Sequence, residues 1–395
     1  MADIYEPETE ADAAAMIADA AREGRALAIS GGNTRAGFGQ KVDGAAFTSK
    51  RLRGIVAYNP SEMTLTAHAG TPVAEIEAEL ADNGQMMAFE PADHRMMMGT
   101  EGVPTIGGLF ATNTSGPRRF VAGAARDSLL GIRFVNGGGE VIKSGGRVMK
   151  NVTGLDLVKL VAGSCGTLGF LTEVTFRVLP KPERILTLTW RGLSDETAVA
   201  LLCTALGSPY EPFAAAHLPA GIGAEQPSTL LRLENFSDSI DYRSRELVAL
   251  LAAHGTPERI EGEASVELWR DVRDARVFAG TDEAVWRLSV APTDGPKATA
   301  AIAARVPGAR WFYDWGGGLV WLAVPAGADA AADAIRTAIR PLGGHATLVR
   351  APAAIRASVP VFEPLPEPLM RLTAGIKTSF DPAGIFEPGR MYAGI

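Results

Sequence analysis

The sequence predicts an α+β protein built from two domains, and three observations carry that prediction. A chain of 395 residues exceeds what one hydrophobic core comfortably serves. Segments with helical and with strand periodicity follow one another irregularly, not as a regular β-α-β march. Between Gly31 and Gly169, three glycine-rich stretches interrupt short apolar runs, which reads as strands ending in tight turns.

Composition narrows the field before any motif is weighed. With 47% hydrophobic and 21% charged residues the chain is an ordinary globular one. A formal charge of −7 argues against a nucleic-acid surface; a small anionic substrate needs only one local arginine. The 44 glycines stand above the ~7% of an average protein and cluster in turns without a repeat. Two cysteines, Cys165 and Cys203, with no C-x-x-C, cannot ligate an iron–sulfur cluster alone and suit a reducing compartment. The first residues lack a basic start with an apolar core, and runs such as Leu247 to Ala253 are far too short to cross a bilayer. The expected location is the cytoplasm, with peripheral docking on the inner face of a membrane only through a partner.

In chain order, Thr9 with Asp12 forms a capping-box pattern; Ala13, Met16, Ile17 and Ala20 share one helical face and Gly24 stops the helix. The apolar run Ala26 to Ile29 reads as a buried strand. Gly54 to Ala57 and Met63 to Ala69 read as strands about the turn Asn59-Pro60-Ser61, and Pro72 opens a helix through Val73, Ile76 and Leu80 that Asn83-Gly84 closes. Met86, Met87 and Met96 to Met98 read as adaptable apolar packing rather than a soft metal box, so no metal is expected, and the neighbouring His94 receives no role. Ile132 to Val135 and Glu140 to Lys143 bracket Asn136-Gly137-Gly138-Gly139 as a hairpin. Phe170 to Val178 reads as a strand, and Pro180 with Pro182 marks a domain boundary. Ile185 to Leu348 reads as five strands and three helices, two of the helices near Glu196–Leu206 and Asp241–His254. A last helix near Pro368–Phe380 and a turn at Asp381 to Gly384 complete the chain.

The chemistry gathers in the glycine sets. Ile29-Ser30-Gly31-Gly32-Asn33-Thr34-Arg35 offers converging backbone N–H groups, close approach to the main chain, hydroxyls and a cation, the requirements of a diphosphate cradle. It is neither a Walker A loop nor a G-x-G-x-x-G turn. Valine at Gly31 or Gly32 is expected to fill the space of the phosphates. Gly107-Gly108 followed by Thr112, Asn113, Thr114 and Ser115 supplies uncharged hydrogen-bonding groups suited to a ribose or a polar heterocycle. Cys165-Gly166-Thr167-Leu168-Gly169-Phe170-Leu171 is the third set. Together they suit one large dinucleotide lying across a sheet edge.

These stretches, with G-G-R-V-M-K-N-V-T-G-L-D-L from Gly145 and the tail F-D-P-A-G-I-F-E-P-G-R-M-Y from Phe380, resemble the FAD-binding family of the PCMH or vanillyl-alcohol-oxidase type, and within it the E-type subunits of glycolate oxidase. The resemblance implies a two-subdomain FAD-binding domain over residues 1–180, an α+β cap domain over 181–350, and a segment, 351–395, that returns to the FAD domain. It implies FAD at the three glycine sets, with Ile29 to Thr34 on the pyrophosphate. The FAD is expected to be noncovalent, because Asn33 stands where covalent relatives often place histidine. Cys165 replaces a frequent glutamate and Glu387 the usual tail asparagine. The implied activity is oxidation of glycolate to glyoxylate within a complex containing a second, D-type flavin subunit and an F-type iron–sulfur subunit. Two alternatives stay open: a self-sufficient FAD-dependent 2-hydroxyacid dehydrogenase, and a non-catalytic structural subunit.

Oxidising a 2-hydroxy acid requires a cation for the carboxylate and a base for the hydroxyl proton. Arg287, on the apolar run V-W-R-L-S-V, is either that cation or half of a structural ion pair. For the base, the five histidines are isolated in sequence, and nothing matches the histidine-rich stretch of D-type subunits. His345 is the remaining candidate, either base or turn residue. The expectation is a subunit that binds FAD and depends on a sister subunit for the main substrate chemistry.

Overall fold

Thr9 caps the first helix reciprocally with Asp12, each accepting from the other's backbone N–H, in a computed structural model that describes residues 4–146 and 154–395. The R-V-M-K-N-V-T stretch, residues 147–153, lies outside the described residues. Helix Glu10–Glu23 ends at left-handed Gly24 and lays Ala13, Ile17 and Ala20 on Leu27, Phe47, Val135 and Phe170. That packing anchors the strand Leu27–Ser30 in a three-stranded parallel sheet with Ala45–Thr48 and Ile4–Tyr5.

A second sheet of five antiparallel strands runs in the order Ile55–Asn59, Thr64–His68, Phe170–Arg177, Leu129–Val135, Val141–Gly145. Helix Val73–Asp82 buries Val73, Ile76 and Leu80 against it. The second glycine set departs from its expected form. It is not a strand-end turn but the start of a short helix, Ile106–Ala111, whose N-cap Thr105 accepts from Gly108 N–H. Glycine is required at 107 because a Cβ there would lie 2.6 Å from that of Ala69; the helix is pressed directly on the Thr64–His68 strand end.

Residues 184–350 form one eight-stranded antiparallel sheet, in the order Glu258–Glu261, Arg184–Arg191, Ser228–Asn235, Ala214–Leu218, Arg310–Asp314, Leu319–Val324, Ala284–Ser289, His345–Arg350. Eight strands and five α-helices replace the expected five and three. The strand Ala214–Leu218 reads A-A-A-H-L, a sequence with no β-branched residue. Burial between two neighbours overrides its weak intrinsic preference. Helices Gly295–Ala303 and Ala332–Ile339 cover one sheet face through Ala298, Ile302, Ile335 and Ile339. The opposite face packs Phe312, Leu319 and Trp321 with Met97 of the first domain.

The chain then returns. After helix Glu367–Phe380, Leu27 N–H donates to Ile385 carbonyl at 2.7 Å and Glu387 N–H to Leu27 carbonyl at 3.0 Å, a parallel bridge between tail and opening strand. Buried Lys377 holds this return, its ammonium donating to Asp381 carboxylate and to the carbonyls of Thr167 and Phe386 at 2.6–2.8 Å.

Candidate functional site

Two adjoining cavities meet where these elements converge. The first is an open cleft with about 890 Å³ of empty space, open solvent included. Its wall contains Ile29, Ser30, Gly31, Gly32, Asn33 and Thr34 from the opening loop, Gly107, Gly108 and Thr112 from the second set, and Cys165, Gly166, Gly169, Phe170 and Leu171 from the third. The three glycine sets, distant from one another in sequence, thus share one surface. Thr114 and Ser115 line the second cavity instead. Asn113, Thr167 and Leu168 line neither. Asn113 sits at φ 48 and its Oδ1 accepts from Arg126 N–H; the Thr167 hydroxyl donates to Ser164 carbonyl; Leu168 is buried.

The opening loop has the character of an anion nest. Asn33 adopts φ 60, and none of the N–H groups of Gly31, Gly32, Asn33 or Thr34 donates within the described chain. Successive free N–H groups around a left-handed residue form a concavity for anionic oxygens. The reason for the two glycines differs from the expected one. A Cβ on Gly32 would lie 1.5 Å from Val103 carbonyl oxygen, and one on Gly31 2.1 Å from Thr105 Oγ1. The glycines let two protein loops touch; they do not clear space for a ligand. Glu387 secures the loop from beneath, accepting from Ile29 N–H at 2.7 Å and Arg390 Nε at 2.9 Å. Arg390 itself lines the cleft. Burial pushes the Cys165 thiol up to about 11, so it stays protonated.

The second cavity, about 540 Å³ of empty volume, lies between the first domain and the eight-stranded sheet and shares Arg35, Phe38 and Thr112 with the cleft. The sheet contributes Arg287, Leu319, Trp321, Thr347 and Val349; the first domain adds His94 and Met98. Arg287 makes no ion pair or hydrogen bond in the described chain. It stacks on Trp315, 5.1 Å from the ring centroid, with Arg119 on the same indole at 4.7 Å. Burial, and then Arg119, bring Arg287 down to about 10, leaving it a cation at neutral pH. Arg35 is likewise brought to about 10 by burial, donates to Ala92 carbonyl at 2.6 Å and leaves its buried Nε unpartnered. Two cations without carboxylate partners on one small cavity form a receptor for an anion.

His345 does not line this cavity. It is exposed at the start of the edge strand, two residues before Thr347 on the same strand face. His94, given no role from sequence, does line it. Its exposure is 8%, neither ring nitrogen is hydrogen-bonded, Nε2 is sealed from solvent, and its ring meets Trp321 edge-on at 5.4 Å. Burial, then Arg35 and Arg287, push it well below the ordinary histidine range. The only sequence signal was its place beside the methionines that pack under the sheet. Among the described residues, no group of three or more His, Cys, Asp or Glu is placed to hold a metal, and no helix is long and apolar enough to cross a membrane.

A family model described as an FAD binding domain matches residues 2–145. Glycolate oxidase subunit GlcE of Escherichia coli (strain K12) is 36% identical over 369 residues, 93% of each chain. Glycolate oxidase subunit GlcD of Bacillus subtilis (strain 168) is 28% identical over 235 residues, 59% of this chain and 46% of that one. Among solved structures, 4-ethylphenol oxidase from Gulosibacter chungangensis superposes with a TM-score of 0.73 at 15% identity, over 99% of this chain and 89% of that one, a likeness of fold.

Proposed function

This chain belongs to the family of FAD-binding oxidoreductases that includes glycolate oxidase subunit GlcE, and on that premise we propose that it is the FAD-binding subunit of a glycolate-oxidising complex, forming glyoxylate. One observation supports the reading above the others. The nest-lined cleft shares Arg35, Phe38 and Thr112 with the cavity that carries the unpaired Arg287, so a flavin and a small carboxylate would be neighbours. Bound FAD would supply the two-electron acceptor. The residues Ile29 to Thr34 would hold its pyrophosphate, and Gly107, Gly108 and Thr112 the flavin and ribityl region. It would be held without a covalent bond, since Asn33 has no nucleophile and the Cys165 thiol stays protonated. Arg287 would orient the carboxylate of the hydroxy acid by charge-assisted hydrogen bonds. The cap sheet, packed on the first domain, would exclude water from the cavity. A D-type flavin subunit and an F-type iron–sulfur subunit are the proposed partners for onward electron transfer, at the cytoplasmic side of the membrane; the two isolated cysteines of this chain support placing the clusters elsewhere.

The test is the absorbance of the purified chain with FAD, titrated with glycolate. The variant Arg287→Met should keep its flavin and bind glycolate about 30-fold more weakly, the loss of ~2 kcal/mol of charge-assisted hydrogen bonding. Unchanged affinity removes Arg287 from the site, and a chain that stays colourless after FAD addition removes the flavin reading altogether.

A further inference from the structure

Resting on that flavin reading, we propose that His94 is the base that takes the hydroxyl proton of a 2-hydroxy acid held by Arg287, so that this chain carries a complete substrate-oxidising centre of its own. The cavity decides the assignment by exclusion. Of the described side chains that line it, Arg35 and Arg287 are permanent cations and the remaining polar groups are hydroxyls of Thr112, Thr114, Ser115 and Thr347. Only the imidazole can accept a proton near neutral pH. Its Nε2, like the Nε of Arg35 on the same cavity, is buried and unpartnered, an unmade hydrogen bond that costs free energy. Trp321 fixes the ring edge-on, and Trp321 pairs in register with Arg287 on the neighbouring strand, so base and carboxylate receptor sit on one scaffold.

The step balances as follows. The O–H bond of the substrate breaks, with its proton passing to His94. The C2–H bond breaks with its electron pair, for which bound FAD would be the two-electron acceptor, and a C=O bond forms at C2. The charged groups facing His94 are Arg35, Arg287 and Arg273, which disfavour its protonation, and Asp93, which favours it. The empty cavity therefore holds His94 neutral and ready to accept. The carboxylate of a bound substrate offsets the arginines, so the imidazolium becomes affordable only when substrate is present.

Anaerobic stopped-flow reduction of the FAD-loaded full chain by glycolate and by lactate tests this. His94→Asn should retain FAD and still show the absorbance perturbation caused by oxalate, a carboxylate that cannot be oxidised. Its flavin reduction rate should fall about 100- to 10,000-fold. In the wild type the rate should be flat across neutral pH and fall only on the acid side of the ordinary histidine value of about 6.5; the acid limb should vanish in His94→Asn and in His94→Gln, made in case one variant folds poorly. Reduction by either variant at the wild-type rate overturns the proposal. A wild-type chain that holds FAD but is reduced by neither acid also overturns it while leaving the flavin reading intact. A chain that holds no FAD fails the flavin reading instead.

Discussion

At the scale of single residues, the glycines of the opening loop are required for a reason that the local sequence does not disclose. Sequence alone marked Gly31 and Gly32, since a glycine pair after an apolar run signals close backbone approach. It could not say what approaches, because Val103 and Thr105 come from a loop about seventy residues on. The two positions now separate. Gly32→Ala drives a methyl into a backbone carbonyl and should cost about 3 kcal/mol or more, with FAD lost. Gly31→Ala meets only the Thr105 side chain, whose hydroxyl can rotate away while its Cβ, 3.3 Å off, must give slightly, at the expense of one helix cap of ~1 kcal/mol. Thermal melts with and without FAD distinguish them, and equal losses at both sites would refute the loop-contact explanation. His94 was illegible for the same kind of reason: its significance lies in an unpartnered nitrogen and two distant arginines, none of which a local pattern encodes.

At the scale of elements, what was readable was what is local. The capped helix Glu10–Glu23, the helix Val73–Asp82 and the hairpin strands Leu129–Val135 and Val141–Gly145 declare themselves through periodicity, caps and turn residues. The helix Ile106–Ala111 did not, because two glycines in six residues argue against a helix until Thr105 and the contact with Ala69 are seen. The C-terminal return was anticipated only through resemblance; its mechanism is the Lys377–Asp381 pair, whose carboxylate also accepts from Ile385 and Phe386 N–H. Asp381→Ala would strand a buried ammonium and two backbone donors. The expected cost is about 3–5 kcal/mol, read by denaturant melts, with weaker FAD retention because Glu387 and Arg390 would lose their footing under the opening loop. Retention of wild-type flavin affinity would show that the tail does not support the cradle.

At the scale of the whole molecule, a buried chain of alternating charges joins the two domains. Glu90 and Arg118 come from the first, Arg232 and Glu234 from the eight-stranded sheet. Arg232 pairs with Glu90 at 2.7 Å and with Glu234 at 2.8 Å, and Arg118 with Glu234 at 3.0 Å. Burial would raise Glu90, but Arg232 and Arg118 hold it below the usual carboxylate range. Breaking such a network at one member leaves uncompensated buried charge. Glu234→Ala removes the carboxylate paired with Arg118 and one of the two on Arg232 and should cost about 3–5 kcal/mol, splitting a single calorimetric transition into two and admitting protease near Pro180. A single undisturbed transition would mean the apolar face around Trp321 and Met97 suffices. Length alone raises the expectation of two domains; which charges hold the eight-stranded sheet against the first 180 residues is a property of partners more than a hundred residues apart.

The tail's parallel bridge to the opening strand also orders events in time. Ile29, whose N–H rests on the Glu387 carboxylate, is synthesised more than three hundred and fifty positions ahead of it. Until Glu387 arrives the loop that should receive the cofactor has no floor, and the intervening sheet must fold beside an unfinished pocket. A cradle whose floor lies at Glu387 is complete only when that distant segment has folded back onto the opening strand.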